Sequence, residues 1–221
     1  MALTDIEPVS RESTAAIIAR QLREAIMNGT FAPGTQLGET ELAGRFQVSR
    51  GPLREAMQRL VSEGLLRSER HRGLFVIDLE PDDVHDVYSA RWAVERAALI
   101  RVLRLGAGEA VAVRLLEAVE DMAAADDSDA VSLADIRFHE ELVAAADSKR
   151  LGRMARTLLI ETRMCLSALH RTYATNEERV TEHKRIAEAI GAGDEELAVS
   201  LLEAHMEDAV QRLAPGTSLY A

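Results

Sequence analysis

The stretch SRGPLREAMQRLVSEG, Ser49 to Gly64, reads as one amphipathic helix with its start and stop marked. Ser49 is a residue type that caps helices, and Pro52 falls in the first turn, where a missing backbone N–H costs little. Leu53, Met57, Leu60 and Val61 share one face at helical spacing, and Gly64 ends the run. The opposite face presents Arg50, Arg54 and Arg59, while Ser49 and Gly51 keep its leading edge short. Just upstream, Glu39 to Phe46 (ETELAGRF) forms a second short helix with Leu42, Ala43 and Phe46 apolar. Only Gln47 and Val48 separate the two, so they must meet at a steep angle. This is the pattern of a helix-turn-helix, whose second helix carries its N-terminal residues into the DNA major groove. The plainer alternative is a helical corner with a solvated arginine face.

Working outward, Arg11 to Asn28 carries Ile17, Ile18, Leu22, Ala25 and Ile26 on one side, with Gly29 beyond its end. Phe31 to Gly34 is a turn. After Gly64, the run LLRSERHRGLFVI places Leu65 and Leu66, then Leu74 to Ile77, around the polar segment Arg67 to Gly73. Two short strands with a basic tip are expected there. Arg70, His71 and Arg72 suit a phosphate backbone, and Gly73 would let the main chain approach a groove closely. Three helices and a β-hairpin make a winged helix.

The run PGTQLGETELAGRFQVSRGPLREAMQRLVSEGLL followed by HRGLFV resembles the N-terminal domain of the GntR family of bacterial transcription regulators over about residues 12–78. That resemblance implies that the start of the second helix and the wing tip touch operator DNA. The matching positions are Ser49, Arg50, Gly51, Pro52, Arg54 and Gly73. One departure is Thr40, where several relatives carry an arginine.

Charge is unevenly placed. The chain of 221 residues has a net charge of −11. Yet Arg45 to Val76 holds seven arginines against three glutamates. A basic patch on an acidic protein holds phosphates while the acidic bulk suppresses wrong contacts. Cys165 stands alone, so no disulfide framework exists and a reducing cytoplasm is expected. The first ten residues lack a basic-then-apolar signal pattern, and no apolar run approaches a membrane span.

The expected organisation is a DNA-binding domain over 1–78, a linker over 79–83, a helical domain over 84–214 and a loose tail over 215–221. The polar run Asp78 to Asp83 with Pro81 marks the hinge, and composition shifts there toward alanine and leucine. Helices are expected at about 82–104, 109–125, 129–146, 148–171, 176–192 and 194–213. The fold class is mainly α: a winged helix followed by an all-α six-helix bundle.

Polar groups on apolar helix faces stand out in the second half, because burying them unpartnered is costly. The face through Val131, Phe138 and Leu142 also contains Asp135 and His139, four residues apart and therefore neighbours. The stripe of Val180, Ile186, Ala187 and Ile190 contains His183. The stripe of Ala198, Leu202 and Ala209 contains His205. One inward histidine is ordinarily a hydrogen-bonded core residue. Three of them with an aspartate, on three helices, offer three imidazoles and one carboxylate to zinc, nickel, manganese or iron. His85 and His170 lie near helix ends and fit no such stripe. Arg91 and Glu95 share the face of Val84, Tyr88, Ala98 and Val102. They read either as an ion pair ordering the helix surface or as a cavity in which Arg91 takes a carboxylate. Arg163 is a weaker candidate for that role.

The pattern DxxFH…EHxxIxxAIxxGDxxxA…H also resembles the effector domain called FCD, which defines the FadR subfamily of GntR regulators, over about 82–213. In its metal-binding members a helical bundle holds a divalent ion through residues matching Asp135, His139, His183 and His205. Six helices resemble the VanR-type branch. Asp147-Ser148-Lys149 departs from the Ser-Gly-Asn often found at that junction. The resemblance implies a homodimer that reads a palindromic operator and answers to a small carboxylate bound at the metal with Arg91. The rivals are a metal-dependent enzyme, against which stands the lack of an HExxH motif and of an obvious general base, and a DNA-binding protein with a purely structural metal.

Overall fold

Ile18, Leu22 and Ile26 recur at helical spacing and are buried in α1 (Thr14–Met27), the first element of a computed structural model describing residues 12–27, 29–78, 81–170, 172 and 175–220. Arg11 and Asn28, expected at the ends of this helix, lie outside the described residues. Then follow β1 (Gln36–Leu37), α2 (Glu39–Phe46), α3 (Arg50–Ser62), β2 (Leu66–Glu69) and β3 (Gly73–Val76). The chain divides into two compact units, one ending at Ile77 and the other beginning at Asp78.

In the first unit α3 lays Leu53, Ala56, Met57 and Leu60 against α1, and all four are fully buried. A three-pronged contact from Arg23 to Glu63, at 2.7 to 2.9 Å, ties α1 to the end of α3. The turn between α2 and α3 is made by Gln47, whose φ of 54° puts it in the left-handed region. Ser49 holds the capping position with extended backbone, but its hydroxyl makes no capping bond. The hairpin β2–β3 pairs Leu66 with Val76 through Glu69 with Gly73. Gly73 has a φ of 103°, a conformation that side chains with a Cβ rarely adopt, so the wing needs glycine there. The sheet has a third strand that the sequence reading did not anticipate. β1 pairs antiparallel with the far edge of β3, giving the order β1-β3-β2. Two residues are too short to show a period of two.

The second unit is built from α4 (Pro81–Arg104), α5 (Gly108–Ala124), α6 (Ser128–Ala145), α7 (Lys149–His170), α8 (Asn176–Gly191) and α9 (Glu195–Leu213). α4 packs on α6, α7 and α9, and α5 packs on α6 and α8. Leu99, Val102, Leu115, Phe138, Leu142, Ile190 and Leu202 fill the space between them. Asp127, Thr175 and Asp194 cap α6, α8 and α9, each accepting from the backbone N–H three residues on. At one crossing the helices meet on glycine. A Cβ on Gly108 would lie 2.5 Å from the Ile190 carbonyl oxygen, and one on Gly191 2.9 Å from Ala112 Cβ. Asp147, at the α6–α7 junction, has a φ of 46°.

Two expectations are corrected. Pro81, Asp82 and Asp83 belong to the first turn of α4 rather than to a linker. Proline is tolerated there, and acidic side chains favour the positive end of the helix dipole. The tail over 215–220 is packed, not loose. Leu219 is buried, and its N–H donates to Glu207 Oε2 at 2.7 Å. Ala221 lies outside the described residues. No helix among the described residues is long and apolar enough to cross a membrane.

Candidate metal centre and DNA-reading face

α6, α8 and α9 bring His139, His183 and His205 together, with one ring nitrogen of each lying within 4.8 Å of the others. All three are buried. Asp135, one turn before His139, has Oδ1 3.4 Å from His183 Nε2 and Oδ2 3.9 Å from His139 Nε2. Phe138 packs edge-on against the rings of both His139 and His183 and closes the apolar side.

The other nitrogen of each ring is engaged. His139 Nδ1 is 2.6 Å from Glu95 Oε2, and His183 Nδ1 is 2.9 Å from the carbonyl oxygen of Arg179. His205 Nδ1 is 3.3 Å from Glu182 Oε2. These partners accept, so Nδ1 carries the proton and donates, and the lone pair is left on Nε2. The Nε2 atoms of His139 and His183 are buried without a hydrogen-bond partner. Orphaned ring nitrogens that face one carboxylate fit a metal ion's ligands.

Electrostatics agree. Burial lowers the His139 pKa to about 4, with Glu95 pulling it up and Arg91 adding to the fall. Burial also lowers that of His205, against the hydrogen bond to Glu182. Both imidazoles are therefore neutral at pH 7, the form that ligates metal. For Asp135, burial opposes ionisation. The neighbouring His183, then His139 and Arg179, outweigh it and hold the carboxyl well below its ordinary range. Glu95 is likewise opposed by burial but held at about 2 by Arg91 and His139.

Arg91 and Glu95 form the expected ion pair, Nε to Oε1 at 2.8 Å, but not on the helix surface. Both are 1% exposed. Glu95 therefore bridges Arg91 and His139, a role the sequence reading missed. Arg179 and Glu182 were missed too. Arg179 is buried one turn before His183, and a charge on that apolar stripe was a readable signal; Glu182 sits off the stripe and gave none. Arg163 is half-buried, with Asp129 and Glu140 rather than the histidines as its charged neighbours.

In the first unit Ser49, Arg50, Gly51 and Arg54 are exposed at the start of α3, with Pro52 partly covered. Two of these side chains reach back to α2. Arg50 Nη2 donates to Thr40 Oγ1 at 3.3 Å, and Arg54 Nε to Glu39 Oε2 at 2.8 Å. Thr40, noted as a departure, thus accepts from Arg50. At the wing, Arg70 is exposed at the tip. Arg72 pairs with Glu69 and lies over the Phe75 ring, its guanidinium 5.0 Å from the centroid. Arg67 covers the same ring at 5.3 Å.

A winged helix with a second, all-helical unit defines a DNA-binding transcription regulator. The family model for bacterial regulatory proteins of the gntR family matches residues 14–76, and that for the FCD domain matches 86–208. The chain belongs to the GntR family and carries an FCD domain. It is 31% identical over 207 residues to the gluconate operon transcriptional repressor of Bacillus licheniformis, covering 90% of this chain and 85% of that one. It is 27% identical over 197 residues to the HTH-type transcriptional repressor GlaR of Escherichia coli, covering 85% and 90%. A solved GntR regulator from Rhodococcus sp. RHA1 superposes with a TM-score of 0.74 at 29% identity, over 93% of this chain and 100% of that one. The family is one of regulators, not enzymes, which removes the metal-dependent enzyme from consideration.

Proposed function

We propose that the protein is a homodimeric, cytoplasmic repressor that releases a palindromic operator, or tightens on it, in response to a small carboxylate. The observation that carries this reading is the set of buried imidazoles whose Nδ1 atoms are anchored while the Nε2 atoms of His139 and His183 are unbonded. Asp135, His139, His183 and His205 would hold a divalent ion of zinc, nickel, manganese or iron. When bound, the ion supplies a Lewis-acidic centre for carboxylate oxygen. Arg91 supplies a charged donor beside it. Relatives named as repressors, one of them for the operon of a carboxylic acid, support the direction of control and the class of signal.

On DNA, Arg50 and Arg54 read base edges, with Ser49, Gly51 and Pro52 allowing close approach. Arg70, Arg72 and Gly73 follow the backbone at the wing. The acid changes DNA affinity only insofar as it prefers one arrangement of the two DNA heads. The test is a gel shift with the chain's own promoter region. Metal-loaded protein should shift it, and a carboxylate should alter that shift. Chelated protein should still bind DNA but ignore the acid. Metal-free protein that responds normally would reduce the cluster to a hydrogen-bonded polar core.

A further inference from the structure

Two more orphaned groups lie on α4, linked to the imidazole cluster through Glu95. The Tyr88 hydroxyl and Nη2 of Arg91 are buried without a hydrogen-bond partner. Native interiors hold few such groups, and each calls for a reason. They are neighbours, with the Arg91 guanidinium 5.1 Å from the Tyr88 ring centre. The charges that act on the Tyr88 hydroxyl include those of Arg91, Asp135 and Arg179. Burial keeps the phenol protonated, so it stands beside Arg91 as a second donor. Arg91 Nε is committed to Glu95, whose other oxygen holds His139. One carboxylate thus joins the donor pair to the imidazole cluster.

Two anchors narrow the ligand. The orphaned ring nitrogens of His139 and His183 form one, and Arg91 Nη2 with the Tyr88 hydroxyl forms the other, with Glu95 joining them. A ligand that satisfies both needs an acceptor group at each end, and a guanidinium beside a hydroxyl suits a carboxylate. We propose that the signal is a short dicarboxylate. One carboxylate completes the metal's surroundings, and the other is received by Arg91 Nη2 and the Tyr88 hydroxyl. Tyr88 is the residue that separates dicarboxylates from monocarboxylates. This rests on the metal-centre reading above.

The test is calorimetric titration of metal-loaded, full-length protein with malonate, succinate and glutarate, against propionate, butyrate and valerate as chain-matched monoacids. The best dicarboxylate should bind at least about tenfold more tightly than its partner monoacid. Tyr88→Phe should lose about tenfold in that affinity and leave monoacid binding and metal content unchanged. Without ligand, the variant should melt at or above the parent's temperature, because it no longer buries an orphaned hydroxyl. The proposal is overturned if no dicarboxylate binds, if matched acids bind alike, or if Tyr88→Phe binds dicarboxylate as the parent does. It is equally overturned if that variant sheds its metal or melts lower. Failure of the metal reading looks different: metal-depleted parent would bind the dicarboxylate as tightly as loaded protein, while the effect of Tyr88→Phe remained.

Discussion

His139 is the residue on which the cluster turns, since it touches Glu95 through one nitrogen and faces Asp135 with the other. His139→Ala should abolish metal retention by elemental analysis and remove the rise in melting temperature that added metal gives the parent. For an ion at a hundred times its dissociation constant that rise reflects about 2.7 kcal/mol. A variant that keeps its metal would remove His139 from the ligand set. Acid acts on the same residues. The folded-state pKa of His139 lies near 4, below the ordinary 6.5, so the fold favours the neutral ring. Stability from this source is complete above about pH 6.5 and lost as pH falls toward 4. Glu95, held near 2 instead of 4.5, adds a second loss below about pH 4.5. The urea midpoint of metal-free protein should therefore fall between pH 7 and pH 4.5, and a flat or rising midpoint would contradict the assignment. Asp135 and His139 were legible because they sit four apart on an apolar stripe. The role of Glu95 was not, because it comes from a helix 44 residues away and meets His139 only once α4 packs on α6.

The α3 helix and the α5–α8 crossing show two ways an element serves the whole. Arg54→Ala should cost about 1–3 kcal/mol of discrimination between operator and scrambled DNA in a gel shift. Its loss should barely change stability, because the pair it makes with Glu39 is largely exposed. Weakening that was equal on both DNAs would mark Arg54 as a phosphate contact instead. The crossing behaves in the opposite sense. Gly108→Ala would drive a methyl group into the Ile190 carbonyl, a backbone atom that cannot swing away. The expected cost is about 1–3 kcal/mol in thermal unfolding, with operator affinity unchanged. A variant as stable as the parent would show that the helices separate freely there. Gly108 and Gly191 were visible in the sequence only as punctuation between helices. Their use as contact points appears once α5 and α8 are packed.

Two units with separate cores make the DNA head a candidate for independent folding. Ile18, Leu22, Leu53, Met57, Leu60 and Leu65 are buried within it. The fragment 1–78 should unfold cooperatively by circular dichroism and bind DNA with a marked salt dependence, while losing operator affinity relative to the full chain. It should ignore metal and carboxylate. A fragment that is unfolded would show that the head needs the helical unit for stability. The full chain carries −11, and most of that charge lies beyond the head, so the fragment should also bind non-operator DNA more readily.

Periodicity carried most of this fold, because an amphipathic helix writes its buried face into the order of its residues. The three helices before the wing, the hairpin and all six bundle helices were readable that way, as were the inward histidines and Asp135. Strand β1 was hidden because two residues have no period, and the packed tail because Leu219 is a single apolar residue among polar ones. The contacts around the imidazoles depended on packing alone. Whether Arg91 and Glu95 lay on a surface or in the interior turned on what covered α4, since a helix with an ion pair at four-residue spacing reads the same in either place. The convergence of His139, His183 and His205 likewise required three helices to cross at one depth, which spacing within each helix does not specify.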